Sequence, residues 1–156
     1  MKRLRRLLLK AGGTGTMLAF AAAVGVLRPR PARAAAWNRQ AFEAKSVAGA
    51  LEALGAANAE PSADIVITAP DIAENGAVIP VEVTCAIAGA ESIALLAENN
   101  PFPLVAHASF TALAEPYLST RIKMGQSSVV RAVVKAGARH YAASREIRVT
   151  IGGCGG

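Results

Sequence analysis

The chain has 156 residues and a formal net charge of +6, room for a single domain. Such a charge would suit a nucleic-acid or membrane-surface binder, but its location excludes that role. Lys2, Arg3, Arg5, Arg6, Lys10, Arg28, Arg30 and Arg33 all fall within the first 34 residues, where there is no Asp or Glu. The rest of the chain carries nine basic residues against eleven acidic ones. It has no electrostatic case for phosphate backbones or anionic lipid, so neither nucleic acid nor membrane is expected as a partner of the mature chain.

The leader has the three parts of a secretory signal. A basic start, Met1 to Lys10, precedes a soft apolar run, Ala11 to Leu27, and small residues fill Ala32 to Ala36. The apolar run is short and interrupted by Gly and Thr, unlike a membrane span. Two A-x-A sites fit a signal peptidase, giving cleavage at 34/35 or 36/37; residues 1–34 are therefore read as leader. Arg5-Arg6-Leu7-Leu8-Leu9-Lys10 resembles the twin-arginine export signal, so the expected location is the periplasm. That route carries folded cargo. A chain without a cofactor of its own uses it mainly to leave the cytoplasm already assembled with a partner.

Residues 37–151 are expected to form one helix plus a β-sandwich. Asn38 to Leu54 reads as the only helix, with Asn38 as N-cap and Trp37 stapled onto Phe42. Ala44, Val47, Ala48, Leu51 and Leu54 form an apolar stripe, and Gly55 suits the position past the helix end. Beyond Ala56 the period becomes that of strands. Asp64 to Ala69 is a short β-branched run, and Asn75-Gly76 predicts a type I′ hairpin into the next strand. There Val81, Val83, Cys85 and Ile87 share one face, and Pro80 marks an edge or bulge near the start. Glu91 to Glu98, Phe102 to Phe110, Tyr117 to Met124, Val129 to Lys135 and Arg145 to Ile151 complete the set. In the last, Ile147, Val149 and Ile151 face inward. About seven short strands with turn signals between them predict an all-β, antiparallel sandwich.

Little in this chain resembles an enzyme site. His107 lies in an apolar strand and reads as structural; His140 beside Tyr141 reads as exposed near a turn. Neither belongs to a metal-ligand cluster, and neither metal nor cofactor is expected. No Gly-rich phosphate loop precedes the helix, and no nucleophile elbow occurs. Arg121, Lys123, Arg131 and Lys135 could gather anions, but a solvated strand face is the expected reading.

The two cysteines differ in kind. Cys85, mid-strand among Val81, Val83 and Ile87, reads as a small buried hydrophobe. Cys154 lies in Ile151-Gly152-Gly153-Cys154-Gly155-Gly156, the third residue from the end. Gly152, Gly153, Gly155 and Gly156 give residues 152–156 the freedom of a flexible arm. Counted from Ile151, the thiol could reach about 10 Å beyond the domain surface and into another protein's active site. A Cys85–Cys154 disulfide would immobilise that arm for little stability; pairing of two Cys154 thiols between molecules is the favoured oxidised form. No cation beside Cys154 activates it, and a carboxylate two residues on would disfavour the thiolate. That suits a carrier whose partners supply activation. The competing reading is a non-catalytic β-sandwich interaction subunit with an incidental terminal cysteine.

Gly152-Gly153-Cys154-Gly155-Gly156 resembles the terminal motif of the SoxY family, the sulfur-carrier subunits of the periplasmic thiosulfate-oxidising (Sox) system. Asn99-Asn100-Pro101-Phe102-Pro103-Leu104, Ser119-Thr120-Arg121-Ile122-Lys123-Met124 and Ser127-Ser128-Val129-Val130 resemble segments of that family in content and order. The resemblance implies an immunoglobulin-like sandwich and a heterodimer with a SoxZ-like subunit. It implies covalent sulfur attachment at Cys154 rather than enzymatic activity. The implied partners are a haem-containing conjugating enzyme, a sulfate-releasing hydrolase and a sulfur dehydrogenase. Cys85 is no part of the motif. The Gly-Gly ending is also similar to that of ubiquitin-like sulfur carriers, but their ATP-dependent activation is cytoplasmic, which export argues against.

Overall fold

The computed structural model describes residues 37–150. The leader, both cleavage sites and the glycine arm with Cys154 lie outside the described residues, as does Ile151, the last inward position assigned to the final strand.

Two short helices open the described chain, α1 (Arg39–Glu43) and α2 (Val47–Ala53). The expected single helix is thus broken. Asn38 does cap α1, its side chain accepting from Ala41 N–H at 3.1 Å, and Trp37 packs on Phe42 with ring centroids 5.5 Å apart. The break comes at Ala44, which takes an extended ψ of 132°. Ser46 then caps a new helix by accepting from Gly49 N–H at 3.1 Å. A serine oxygen competing for backbone N–H groups favours a helix start over a helix interior. Asn38 Nδ2 also donates to Ala53 O at 2.8 Å, tying the end of α2 back to the start of α1. Gly55, at φ +70°, ends α2 in a Schellman turn: Gly55 N–H donates to Glu52 O, and Ala56 N–H to Leu51 O. The break also turns the apolar stripe. Ala41 and Ala50 are fully buried, while Ala48 faces solvent.

Nine strands follow: β1 (Glu60–Pro61), β2 (Ile65–Thr68), β3 (Ile72–Ala73), β4 (Ile79–Cys85), β5 (Ala90–Ala97), β6 (Leu104–Ser109), β7 (Tyr117–Ile122), β8 (Ser128–Ala136) and β9 (Arg139–Val149). They form two sheets. The small sheet has the order β2-β4-β7; the large one runs β1-β9-β8-β5-β6, with β3 also on β9. Assigning immunoglobulin strand letters, the small sheet is A-B-E and the large one G-F-C-C′. The fold is the expected all-β, immunoglobulin-like sandwich.

Between the sheets lies a core of Ile65, Ile67, Ile79, Val81, Val83, Ile93, Leu95, Val130, Val134 and Ile147. The inward faces are those expected for β4 and for Ile147 of β9. A second cluster covers the outer face of the large sheet, where Ala94, Leu96, Leu104 and Val133 meet Ala41 and Ala50 of the helices. Strands β5 and β8 are therefore covered on both faces. That is why Ile93-Ala94-Leu95-Leu96-Ala97 is continuously apolar rather than alternating.

The Asn75-Gly76 hairpin is not formed. β3 pairs with β9 and β4 with β2 and β7, so the chain crosses between sheets there. Asn75 Oδ1 instead accepts from Ala77 N–H at 2.8 Å, a side-chain turn that needs no left-handed glycine, and Gly76 has no positive φ. The tight hairpin is elsewhere. Gly137, at φ +59°, begins a two-residue loop between paired Ala136 and Arg139, as a primed turn requires. The last strand consequently begins at Arg139, not Arg145. Pro80 pairs with Arg121 of β7 but lies beyond the end of β2. Its missing N–H falls where β4 has only one neighbour, the edge position expected for it.

Arg145 holds the crossover of β2 and β3 against β9. It sits in the inward register of that strand, and its guanidinium reaches Asp71 at 2.7 Å and Ile67 O at 3.4 Å.

Candidate functional site

The last described residues are firmly held. Val149 N–H donates to Ser127 Oγ at 2.9 Å. Thr150 N–H donates to Ala73 O at 3.0 Å, and its hydroxyl to Glu74 O at 3.1 Å. The chain thus leaves the sandwich between the β3–β4 and β7–β8 connections. Asn99 N–H donates to Ser128 Oγ (2.9 Å) and Asn99 Nδ2 to Ser127 O (2.8 Å), while Asn100 Nδ2 donates to Lys123 O (2.8 Å). Those bonds stitch the β5–β6 loop to the β7–β8 loop. Parts of three segments that stood apart in the sequence, at Asn99 and Asn100, Lys123, and Ser127 and Ser128, therefore converge at the end of the sandwich where Thr150 lies. Nothing in local pattern reveals this convergence.

Cys85 lies at the opposite end of β4, half-buried. Its Sγ accepts from Ile87 N–H at 3.4 Å. Burial pushes the thiol pKa up, the Ile87 bond opposes this, and Asp64 adds to it. A thiol held protonated is a poor nucleophile, which agrees with a structural reading; its burial is only partial, because a shallow pocket of Ala86, Ile87, Phe110 and Pro116 opens beside it.

A cleft of about 470 Å³ runs between the helices and the large sheet, with His107, Lys135, His140, Asn38 and Leu54 among its walls. His107 is exposed on the outer face of β6 rather than enclosed in the core. Its ring side is nonetheless desolvated enough to lower its pKa. His140 is half-buried rather than exposed, since Gly55 passes over it: a Cβ at Gly55 would sit 4.0 Å from His140 Cε1. The two rings belong to β6 and β9, three strands apart in the order β9-β8-β5-β6. That is roughly 14 Å, too far for one metal ion. Among the described residues no three His, Cys, Asp or Glu side chains cluster as metal ligands.

The four candidate anion-gathering cations do not meet. Arg131 and Lys135 lie on the outer face of the large sheet, paired with Glu98 and Glu91; Arg121 belongs to the small sheet and Lys123 follows it. They are solvated strand faces, as expected.

Together these features define an immunoglobulin-like β-sandwich with a helical cover on one sheet and a hydrogen-bonded loop end that holds Val149 and Thr150. The family model of the sulfur oxidation protein SoxY matches residues 50–154, and the chain belongs to that family. A solved structure of the sulfur carrier protein SoxY from Chlorobium limicola f thiosulfatophilum is 36% identical, with a TM-score of 0.63, covering 73% of this chain and 100% of that one. The human F-spondin reeler domain (12% identity, 57% of this chain and 92% of that one, TM-score 0.41) is a distant match. So is a structure from work on T cell activation by the bacterial superantigen toxic shock syndrome toxin-1 (10%, 55% and 98%, TM-score 0.40). Neither distant match carries weight. No curated protein matches the chain. Family membership places it in sulfur oxidation, among the proteins of the Sox system.

Proposed function

We propose that this chain is a covalent sulfur carrier in thiosulfate oxidation, holding pathway intermediates on the thiol of Cys154 and presenting them to partner enzymes. The observation that carries the reading is that the family match runs through Cys154 itself. The Gly152, Gly153, Gly155 and Gly156 arm around it can reach well beyond Thr150, whose backbone is anchored. The chain supplies the thiol and its delivery; partner enzymes supply the chemistry. Cys–SH and thiosulfate give Cys–S–S–SO3⁻ with loss of one proton and two electrons, the electrons passing to the haem of a conjugating enzyme. A hydrolase then adds water across the terminal S–S bond, releasing sulfate and a proton and leaving Cys–S–SH. A sulfur dehydrogenase oxidises the remaining sulfur.

A SoxZ-like subunit completes a heterodimer that is exported folded to the periplasm through the Arg5-Arg6 signal. The carrier reading is tested in the reconstituted system. Cys154→Ser abolishes thiosulfate-dependent turnover with folding intact, Cys85→Ala retains it, and peptide mass mapping finds thiosulfate-derived sulfur on Cys154. Sulfur on Cys85, or on neither cysteine, overturns the reading.

A further inference from the structure

At the Cys85 end of β4, a pocket of about 490 Å³ opens between the β4–β5 and β6–β7 connections. Its apolar wall includes Cys85, Ile87, Ala90, Phe110, Ala114 and Pro116. We propose that this pocket and the adjoining Leu113 form a docking surface for a basic segment of a partner protein. That segment seats an apolar side chain in the pocket and sets Arg or Lys beside Asp64 and Glu115.

The two connections are held in place. Phe110 N–H donates to Glu91 O at 2.8 Å, joining them at their base. Ala114 N–H donates to Thr111 O at 2.9 Å, closing a turn whose tip carries Leu113. Leu113 is 100% exposed. A single leucine in water is ordinary, but this one extends the apolar surface of the pocket beside it. Leu113 is not part of the pocket wall. A small molecule seated in the pocket would leave it in water, whereas a protein segment covers both, with one side chain anchored in the pocket.

Charge selects the occupant. No cation lines the pocket, and its one lining carboxylate, Glu91, is already paired with Lys135. Arg139, at the start of β9, is likewise taken by Glu60. Glu115 lies between the lining residues Ala114 and Pro116. Asp64 O accepts from Ala86 N–H at 2.9 Å, and the Asp64 charge adds to burial in raising the pKa of Cys85. Both carboxylates belong to exposed residues, and neither has an ion-pair partner among the described residues. An apolar pocket rimmed by unpaired acids attracts a partner that brings cations. The same rim disfavours a second copy. Two-fold docking of this surface on itself would set Asp64 and Glu115 against their own counterparts, and like charges across an interface repel.

The test tethers the mature chain to a sensor surface by a C-terminal affinity tag, which keeps copies apart. Acetyl-Arg-Leu-Arg-amide is passed over it at concentrations up to millimolar. Saturable binding is expected, with acetyl-Arg-Ser-Arg-amide and acetyl-Glu-Leu-Glu-amide several-fold weaker. Asp64→Asn combined with Glu115→Gln should weaken the first peptide roughly fivefold, the scale of two exposed ion pairs. Glu74→Gln, at the end where Thr150 lies, should leave it unchanged. Ala114→Trp, a substitution at an exposed position that fills the pocket, should abolish binding with an unchanged circular dichroism spectrum. No binding at millimolar peptide, equal binding of all three peptides, or binding indifferent to Ala114→Trp overturns the surface. Capture of free mature chain by the tethered one, lost with Ala114→Trp, also overturns it, since a second copy then fills the pocket. None of these outcomes touches the carrier reading, because Cys154 is intact throughout.

Discussion

Cys85 is the thiol that the fold sets aside. Half-burial and the Asp64 carboxylate raise its pKa against a single opposing hydrogen bond from Ile87, so at neutral pH it stays protonated. The residue scale also holds a titration on the described surface. Desolvation lowers the pKa of His107, so the folded chain binds that proton less readily than the unfolded one. By linkage, stability is complete above the ordinary imidazole value near 6.5 and is lost as the pH falls toward the depressed folded value. Urea titrations of wild type and His107→Gln between pH 7.5 and pH 5 should show a decline in the wild type that the variant lacks. Parallel curves would mean that the ring is solvated in the folded chain. Neither effect was legible in the sequence. An alternating apolar strand signals that one face is covered, but not how closely the helices approach each position along the edge, and His107 lines an open cleft beneath them.

At the scale of elements, the helix pair shows how one oxygen decides a boundary. The spacing of apolar residues from Ala44 to Leu54 suits a continuous helix, and the N-cap, staple and terminal glycine were each read correctly. Ser46 was read as an interior residue, yet its Oγ accepts from Gly49 N–H and starts a second helix. Ser46→Ala removes that acceptor and should cost about 1 kcal/mol, read as a lower urea midpoint with an unchanged m-value. No loss would mean that packing of Ala41 and Ala50 on the large sheet alone sets the break. Similarly, Asn75-Gly76 carries a hairpin signature, but the partner strands belong to different sheets. A dipeptide can specify a turn; it cannot specify which strand lies beyond it.

For the whole molecule, the decisive feature is that the central strands of the large sheet, β5 and β8, are covered on both faces while the small sheet is covered on one. On the small sheet's outer face, paired positions Val66, Thr84 and Tyr117 align across three strands, and Val66 and Tyr117 stand 53% and 46% exposed. Together with the nearly neutral charge of the mature chain, this predicts poor behaviour alone. Expressed by itself the mature chain should self-associate in sedimentation, and co-expression with a SoxZ-like subunit should yield a soluble 1:1 complex. Replacing Arg5 and Arg6 by lysine should then leave both subunits in the cytoplasm. A monomer stable at high concentration would argue against an obligate partner, and normal export of the double variant against the twin-arginine route.

What the sequence determined alone is what short-range chemistry encodes. A block of basic residues without a carboxylate is confined to the first 34 residues. Period-two alternation assigns inward faces, as for Val81, Val83 and Ile147. The tertiary structure decided everything that depends on residues distant in the chain. It covered β5 and β8 from both sides, carried β2 and β3 to different sheets, and set Gly55 over His140. It also joined the loops of Asn99, Lys123 and Ser127 beside Val149. The physical reason is the range of the interactions. Turn, cap and alternation preferences act over a few residues and leave a local trace. Packing and cross-loop hydrogen bonds join positions more than twenty residues apart, as Asn100 to Lys123 does, and exist only once the chain has folded.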